Sequence, residues 1–316
     1  MKTVYLDQLH WIDISKAVHG LAIRDGTAET LAHIRRRASE GELLFPLSLA
    51  HYLETLKNAV PERRRRLSAV MRELSGGYTI ANCTTVLKHE IRSALISKLD
   101  IDSTLPPFKL LGRGMEHALG RSFNLCLEWP HPDRVPEEVR KKVEHDVFDL
   151  LEASFLSGVL DVHEAPVLFP QMGLEPDKEF KDHLTEWRGS GANMSTAELR
   201  RKVCAITLAD IMEPLSIVLA ELGITMVRFR ILGEPVWCEL LDMMPSRRAD
   251  MHLRTQWAMN ASLNPQLSDL NDWAYLGIAV CYCDLVVTEN QMNNLFHRSA
   301  EFASKSTARL TDLLEL

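Results

Sequence analysis

The chain has 316 residues, of which 46% are hydrophobic and 25% are charged, and its formal net charge is −7. These proportions are typical of folded domains and exclude global disorder, and the length predicts about two domains or one domain with a large insertion. Because no apolar run approaches the roughly 18 residues of a membrane-spanning helix and no signal-peptide pattern is present, we predict a cytoplasmic protein without a membrane partner.

Strands and helices alternate in the N-terminal region. Residues 3–6 predict a short strand that ends at Asp7, and apolar residues at three- and four-residue spacing after it predict a helix. A second helix is predicted over residues 27–39, and a buried strand over residues 43–47. Ser48 is a candidate N-cap of the helix that follows. This order predicts an α/β fold with a central parallel sheet flanked by helices.

Four consecutive arginines, Arg63, Arg64, Arg65 and Arg66, lie on a helix that is predicted to run to about Leu74. Successive helix positions differ by about 100°, so these side chains spread around the helix and some must reach solvent. Residues 1–100 contain 15 basic and 11 acidic side chains, whereas the rest of the chain is acidic. The arginine run is therefore a candidate contact for the phosphates of a nucleic acid.

The middle of the chain has a different character, with clustered prolines between helical stretches at residues 137–159 and 195–222. We predict a large, mostly α-helical insertion at residues 101–255. It would separate the first part of an α/β domain, residues 1–100, from the second part, residues 256–316. The six cysteines include no CxxC pair, so we predict reduced thiols and no zinc framework.

Four acidic residues fall at the ends or beginnings of predicted elements. Asp7 follows the first strand, Glu54 lies two turns into the helix after the second strand, Asp272 is near the start of a late helix, and Glu289 follows a strand at residues 285–288. The carboxyl ends of parallel strands share one sheet edge, so we expect these acids to converge. Their mutual repulsion would require a cation, and carboxylate oxygens favour Mg²⁺ or Mn²⁺.

Other polar residues compete with this set or lie beside it. Asp284 directly precedes the strand at residues 285–288, whose four residues at about 3.3 Å each place it roughly 13 Å from the far end, so we interpret it as a polar residue at the strand start. Asp269 lies one turn before Asp272, and either residue qualifies as the third acid. The hydroxyls of Ser48 and Thr288 could bind a carboxylate, a metal-bound water or a phosphate; the alternatives are a helix cap and strand-end packing.

The segments that contain these acids resemble PIN domains. Residues 5–13, YLDQLHWID, are similar to the PIN opening, in which a strand delivers an aspartate and an aromatic-isoleucine pair follows. Residues 44–48, LFPLS, lead to Glu54 as the second PIN strand leads to the second acid. Asp272 and Glu289, with Val-Val-Thr before the latter, resemble the third and fourth acids.

The resemblance covers residues 1–75 and 262–316, and it implies a metal-dependent endoribonuclease. It implies that the four acids hold Mg²⁺ or Mn²⁺, that RNA is the substrate, and that the products carry a 5′-phosphate and a 3′-hydroxyl. Two features depart from the family: the fourth acid is Glu rather than the more frequent Asp, and the insertion is unusually long. A toxin- or defence-type role, an inhibitory protein partner and a homo-oligomer are compatible with the family.

Two other classes of function stay open. The large acidic insertion favours a catalytically inactive PIN-like module that binds or regulates a partner. A hydrolase of the haloacid dehalogenase type also places an Asp after the first strand, but its second Asp would fall at Leu9. Metal-dependent cleavage of RNA would distinguish the nuclease from the inactive binding module. A trapped phospho-Asp7 would indicate the hydrolase of the haloacid dehalogenase type.

Overall fold

The computed structural model describes residues 1–121, 129, 134–157, 174–266 and 269–316, without the side chains of residues 145, 148, 174–177, 269, 271 and 272. The chain divides into two compact units. Unit 1 comprises Met1–Asn82, Leu111–Met172 and Leu310–Leu316, and unit 2 comprises Cys83–Leu110 and Gly173–Arg309. The two units are defined by contacts between residues. The predicted boundaries at 1–100, 101–255 and 256–316 describe an insertion into an α/β domain, which is a different property. Those boundaries therefore stay predictions.

The elements up to residue 121 are, in chain order, β1 (Lys2–Leu6), α1 (Gln8–Val18), α2 (Thr27–Ser39), β2 (Leu43–Leu44), α3 (Leu49–Lys57), α4 (Pro61–Ser75), β3 (Tyr78–Ile80), α5 (Cys83–Leu99), β4 (Leu111–Arg113) and α6 (Gly114–Leu119). The later helices are α7 (Glu137–Ser157), α8 (Leu174–Trp187), α9 (Thr196–Asp210), α10 (Met212–Glu221), α11 (Met226–Ile231), α12 (Gly233–Met243), α13 (Pro245–Met259), α14 (Asp269–Tyr282) and α15 (Asn290–Phe296). The later strands are β5 (Leu285–Val287) and β6 (Ser306–Thr307), and 3-10 turns cover Ala303–Lys305 and Leu310–Glu315.

Unit 1 contains the parallel strand pair β1–β2, in which Lys2 pairs with Leu43 and Thr3 with Leu44. Strand β1 is buried from Thr3 onward, as expected for a continuous apolar run in a parallel sheet. Helix α4 packs against α1 and α7, and α2 packs against α1. Trp11 and Ile14 of α1 are fully buried. The predicted mixed α/β class, with parallel strands flanked by helices, is confirmed.

The second predicted strand is shorter in the structure than in the sequence analysis. It was expected over residues 43–47, but β2 ends at Leu44. Leu47 instead forms a parallel bridge with Thr79, and its N–H donates to the carbonyl of Tyr78 at 2.9 Å. Strands β3 and β4, which pair antiparallel, were missed because three residues are too few to show a periodic pattern.

Unit 2 is mostly helical and contains the parallel pair β5–β6, in which Val286 pairs with Ser306 and Val287 with Thr307. The single helix expected over residues 195–222 is wrong. Helices α9 and α10 meet at a bend of 67° because Pro214 lacks an N–H and its ring would clash with the carbonyl of Asp210 in a continuous helix.

The predicted start of this helical region is confirmed by a capping box. The N–H of Ser195 donates to Glu198 Oε2 at 2.8 Å, and the N–H of Glu198 donates to Ser195 Oγ at 3.3 Å. Within the part of the chain that the structure describes, no single helix is long and apolar enough to cross a membrane. The bent pair α9–α10 together meets that test by length and composition alone.

Candidate functional site

Asp7 occupies the position that the sequence predicts, directly after β1. It is the N-cap residue of α1, with an extended backbone, and its carbonyl accepts hydrogen bonds from the N–H groups of His10 at 2.9 Å and Trp11 at 3.3 Å. Its side chain is 7% exposed. Asp7 thus lies where the end of a buried strand meets the amino end of a helix.

A buried histidine joins this strand end to α3. His51 Nε2 lies 2.8 Å from the carbonyl oxygen of Leu6, and the backbone N–H of Ser48 donates to His51 Nδ1 at 2.8 Å. Because Nδ1 accepts, the proton of the neutral ring is on Nε2, which donates to Leu6. Burial lowers the pKa of His51 to about 4, although the hydrogen bond with Leu6 opposes this shift. His51 is therefore neutral near pH 7.

A second hydrogen bond follows on the other side of Asp7. Gln8 Nε2 donates to Thr55 Oγ1 at 3.1 Å, and both side chains are buried. The residues on both sides of Asp7 thus contact His51 and Thr55, which lie one helical turn apart on α3. Glu54, which is half-buried, belongs to the same turn. Asp7 and Glu54 therefore lie on chain segments that run side by side in unit 1.

Ser48 has a structural role in this arrangement. It is the N-cap residue of α3, and His51 takes the place of the usual Glu in a capping box. Its hydroxyl lies 2.9 Å from Tyr5 Oη and 3.2 Å from His51 Nδ1, and it is fully buried. Of the two alternatives for Ser48, the structure supports the helix cap. The sequence analysis missed His51, although Ser-x-x-His at a helix start was a usable signal.

The acid after the second parallel pair has the same local geometry. Glu289 follows β5 and is the N-cap residue of α15, and its carbonyl accepts the N–H of Asn293 at 2.9 Å. It is half-buried. Thr288 is fully buried, and its N–H extends the pairing to the carbonyl of Thr307 at 2.9 Å, which is strand-end packing. Asp284 is exposed at the other end of β5, as interpreted from the sequence.

The helix expected at Asp269 and Asp272 is present as α14, but the side chains of both residues lie outside the described ones. The choice between them as third acid stays open. Trp273, the next residue, fixes this end of α14, because its Nε1 donates to Asp250 Oδ1 at 2.5 Å. Arg254 on the same helix as Asp250 donates to Asp250 Oδ2 at 2.9 Å.

The arginine run spreads around α4 as predicted, and its members differ in exposure. Arg64 is 7% exposed and lies in the core of unit 1, so it is removed from the surface that a polyanion could reach. Arg65 and Arg66 each form an ion pair with Glu62 at 2.8 Å. The hydrogen bond from Arg66 and the charge of Arg65 lower the pKa of Glu62. Arg63 is exposed.

The oxygen donors of Asp7 and Glu54 fit a hard divalent cation, since buried or half-buried carboxylates are the side chains that Mg²⁺ and Mn²⁺ prefer. Among the described side chains, no group of three or more His, Cys, Asp or Glu is arranged to hold a metal ion. The carboxylates of Asp269 and Asp272 are not part of that set. The four-acid site and its convergence therefore stay predictions.

Unit 1 also contains a cavity of about 600 Å³ that the sequence analysis did not anticipate. Among the described residues that line it, none belongs to the predicted site. Its charged lining residues are Arg72, Arg113, Glu73, Glu116, Glu144, Asp149 and Glu152. Glu152 is buried and accepts hydrogen bonds from Tyr52 Oη at 2.5 Å and the N–H of Met115 at 3.1 Å. Burial raises the pKa of Glu152.

Comparisons of the chain with protein-family models, with curated proteins and with solved structures find no match. The likeness to PIN domains thus depends on residues 5–13, on residues 44–54 and on Asp272 and Glu289.

Proposed function

We propose that this chain is a metal-dependent endoribonuclease that hydrolyses the phosphodiester bonds of RNA, with Mg²⁺ or Mn²⁺ as cofactor. One observation carries the proposal: Asp7 lies at the carboxyl end of a buried parallel strand, and hydrogen bonds on both sides of it reach the turn of α3 that contains Glu54. Asp272 and Glu289 are the further ligands that the resemblance to PIN domains implies. The cytoplasmic location, inhibitory partner, homo-oligomer and toxin- or defence-type role stay predictions.

The protein residues have distinct roles in this proposal. Asp7 and Glu54 would provide oxygen ligands, and a metal bound there would lower the pKa of a water molecule and stabilise the negative charge of the phosphate. Asp7 is the N-cap residue of α1, so its carboxylate lies at the end of the helix that favours negative charge. His51 adds no charge near pH 7, and its two hydrogen bonds hold the end of β1 at a fixed position on α3.

The direct test is cleavage of a labelled single-stranded RNA by the full chain. We expect no cleavage in EDTA, cleavage after Mg²⁺ or Mn²⁺ is restored, and products with 5′-phosphate and 3′-hydroxyl ends. Equal rates with and without EDTA, or products with 2′,3′-cyclic phosphate ends, would reject the metal-dependent mechanism. The cyclic product would indicate attack by the ribose hydroxyl instead of water.

The arginine run predicts two different effects for neighbouring substitutions. Arg63→Ser is expected to reduce the slope of log K for RNA binding against log salt by about 1, because it removes one exposed phosphate contact. Arg64→Ser should instead lower the free energy of unfolding by about 2 kcal/mol, because Arg64 is buried. Filter binding at several salt concentrations and urea unfolding measure these effects. Equal salt slopes for Arg63→Ser and wild type would exclude Arg63 from RNA binding.

The second candidate is a catalytically inactive PIN-like module that binds a ligand or a regulatory partner. The cavity in unit 1 favours it, since about 300–1,000 Å³ is the usual range of ligand sites and none of the predicted acids with a described side chain lines this one. If the chain is such a module, Mn²⁺ should either leave the melting temperature of the protein unchanged or raise it without any cleavage of RNA. Cleavage that disappears on removal of the metal excludes it.

A further inference from the structure

Unit 2 contains two thiols that face each other across a pair of packed helices. Cys204 lies on α9 and Cys238 on α12, two helices that pack against each other, and both thiols line the same cavity. One turn away on each helix, Arg200 and Asp242 form an ion pair at 2.5 Å. Arg200 precedes Cys204 by four residues and Asp242 follows Cys238 by four, so both contacts belong to one antiparallel register. The thiols and the ion pair therefore occupy successive turns of the same helix–helix contact.

Solvent reaches this pair through a cavity of about 520 Å³. Its lining includes both thiols and the basic side chains of Arg201 and Lys202. Cys238 is half-buried, whereas Cys204 is 3% exposed. Burial raises the pKa of Cys204 to about 12, and the hydrogen bond with Cys238 adds to this shift. Cys238 is therefore the thiol that an oxidant in the cavity meets first, with Cys204 behind it.

We propose that Cys204 and Cys238 form a reversible oxidation site, which a peroxide closes to a disulfide and a dithiol reopens. In the first step the sulfur of Cys238 attacks one oxygen of hydrogen peroxide, the O–O bond breaks, and a sulfenic acid and one water form. In the second step the sulfur of Cys204 attacks the sulfur of Cys238. The S–S bond forms, the S–O bond breaks, and the hydroxide leaves with the Cys204 proton as a second water.

The overall change removes two electrons and two protons from the thiols and produces two waters from the peroxide. A disulfide needs sulfur atoms about 2.05 Å apart, and these two thiols line one cavity on helices that already pack against each other. The bond would close a loop from residue 204 to residue 238. It would restrict the unfolded chain and stabilise the packing of α9 against α12.

The test uses the reduced full chain treated with hydrogen peroxide. The number of titratable thiols should fall by two, and peptide mapping should identify a Cys204–Cys238 cross-link within one chain. We expect the melting temperature to rise by about 5 °C and to return after treatment with dithiothreitol. Cys238→Ser should abolish the cross-link and the temperature shift.

Cys281→Ser is the matched control, because Cys281 is another half-buried thiol of unit 2 and its Sγ bonds to the carbonyl of Pro245 instead of another thiol. This variant should still lose two thiols and form the cross-link. The proposal is wrong if wild-type protein forms a different pair, forms only links between chains, or loses no thiols. Peptide mapping of the wild-type protein decides this without any variant, so a folding defect in Cys238→Ser does not affect the result.

Discussion

Replacement of Asp7 by asparagine is expected to reduce the rate of RNA cleavage by about 100- to 1,000-fold, because a metal ligand contributes several kcal/mol of charge stabilisation. The amide keeps the shape of the side chain but cannot supply a full negative charge. Single-turnover cleavage at saturating Mg²⁺ or Mn²⁺ measures the effect. The same protein should retain its far-UV circular dichroism spectrum, since the hydrogen bonds of Leu6 and Gln8 do not involve the Asp7 carboxylate.

Asp25→Asn is the control for this change. Asp25 is an exposed acid in the loop between α1 and α2, and it undergoes the same chemical substitution in the same unit. Its cleavage rate should equal that of the wild-type protein. If Asp7→Asn cleaves RNA as fast as wild type, Asp7 is not a metal ligand. Equal losses in both variants would indicate a general effect of charge instead of a site.

The second large effect concerns the stability of the fold at acidic pH. His51 has a pKa of about 4 in the folded protein and 6.5 as an ordinary histidine, so the unfolded chain binds the proton more tightly between these values. The contribution of neutral His51 to the free energy of unfolding is fully present above pH 6.5 and is lost as the pH falls toward 4. The 2.5-unit difference corresponds to a loss of about 3 kcal/mol in the free energy of unfolding.

Urea unfolding between pH 7.5 and 4.5 measures this loss, and His51→Gln isolates it. Glutamine does not titrate, so the variant should be less stable at pH 7.5 but should lose about 2.5 kcal/mol less than the wild type between pH 7.5 and 4.5. His19→Gln, at an exposed histidine, should keep the wild-type slope. Parallel curves for wild type and His51→Gln would show that the His51 ring is not neutral in the folded protein.

The sequence predicted features that depend on neighbouring residues. The bounds of α2, residues 27–39, agree with the structure because its apolar spacing and the stop at Gly41 are local signals. Ser195 and Glu198 predicted a capping box, whose two hydrogen bonds join residues only three positions apart. The position of Asp7 directly after β1 likewise followed from the apolar run before it.

The sequence could not predict contacts between residues that are distant along the chain. Exposure within the arginine run depends on how α4 packs against α1 and α7, so Arg63 and Arg64 have opposite environments despite identical chemistry. Glu152 was assigned to the predicted insertion, yet it bonds to Tyr52, 100 residues earlier. The break at Asp210 is a different case, since Pro214 was visible in the sequence but its effect was overlooked.

The amino-acid sequence alone determined the order of elements, the placement of Asp7 and Glu289 after strands, and the helix caps. Each of these depends on backbone preferences and side chains within one or two turns. Only the tertiary structure decided that His51 is neutral, that it holds Leu6 at 2.8 Å, and that Cys204 and Cys238 line one cavity. These properties arise from burial and from contacts across many residues, because the environment of a side chain forms only when distant segments pack together.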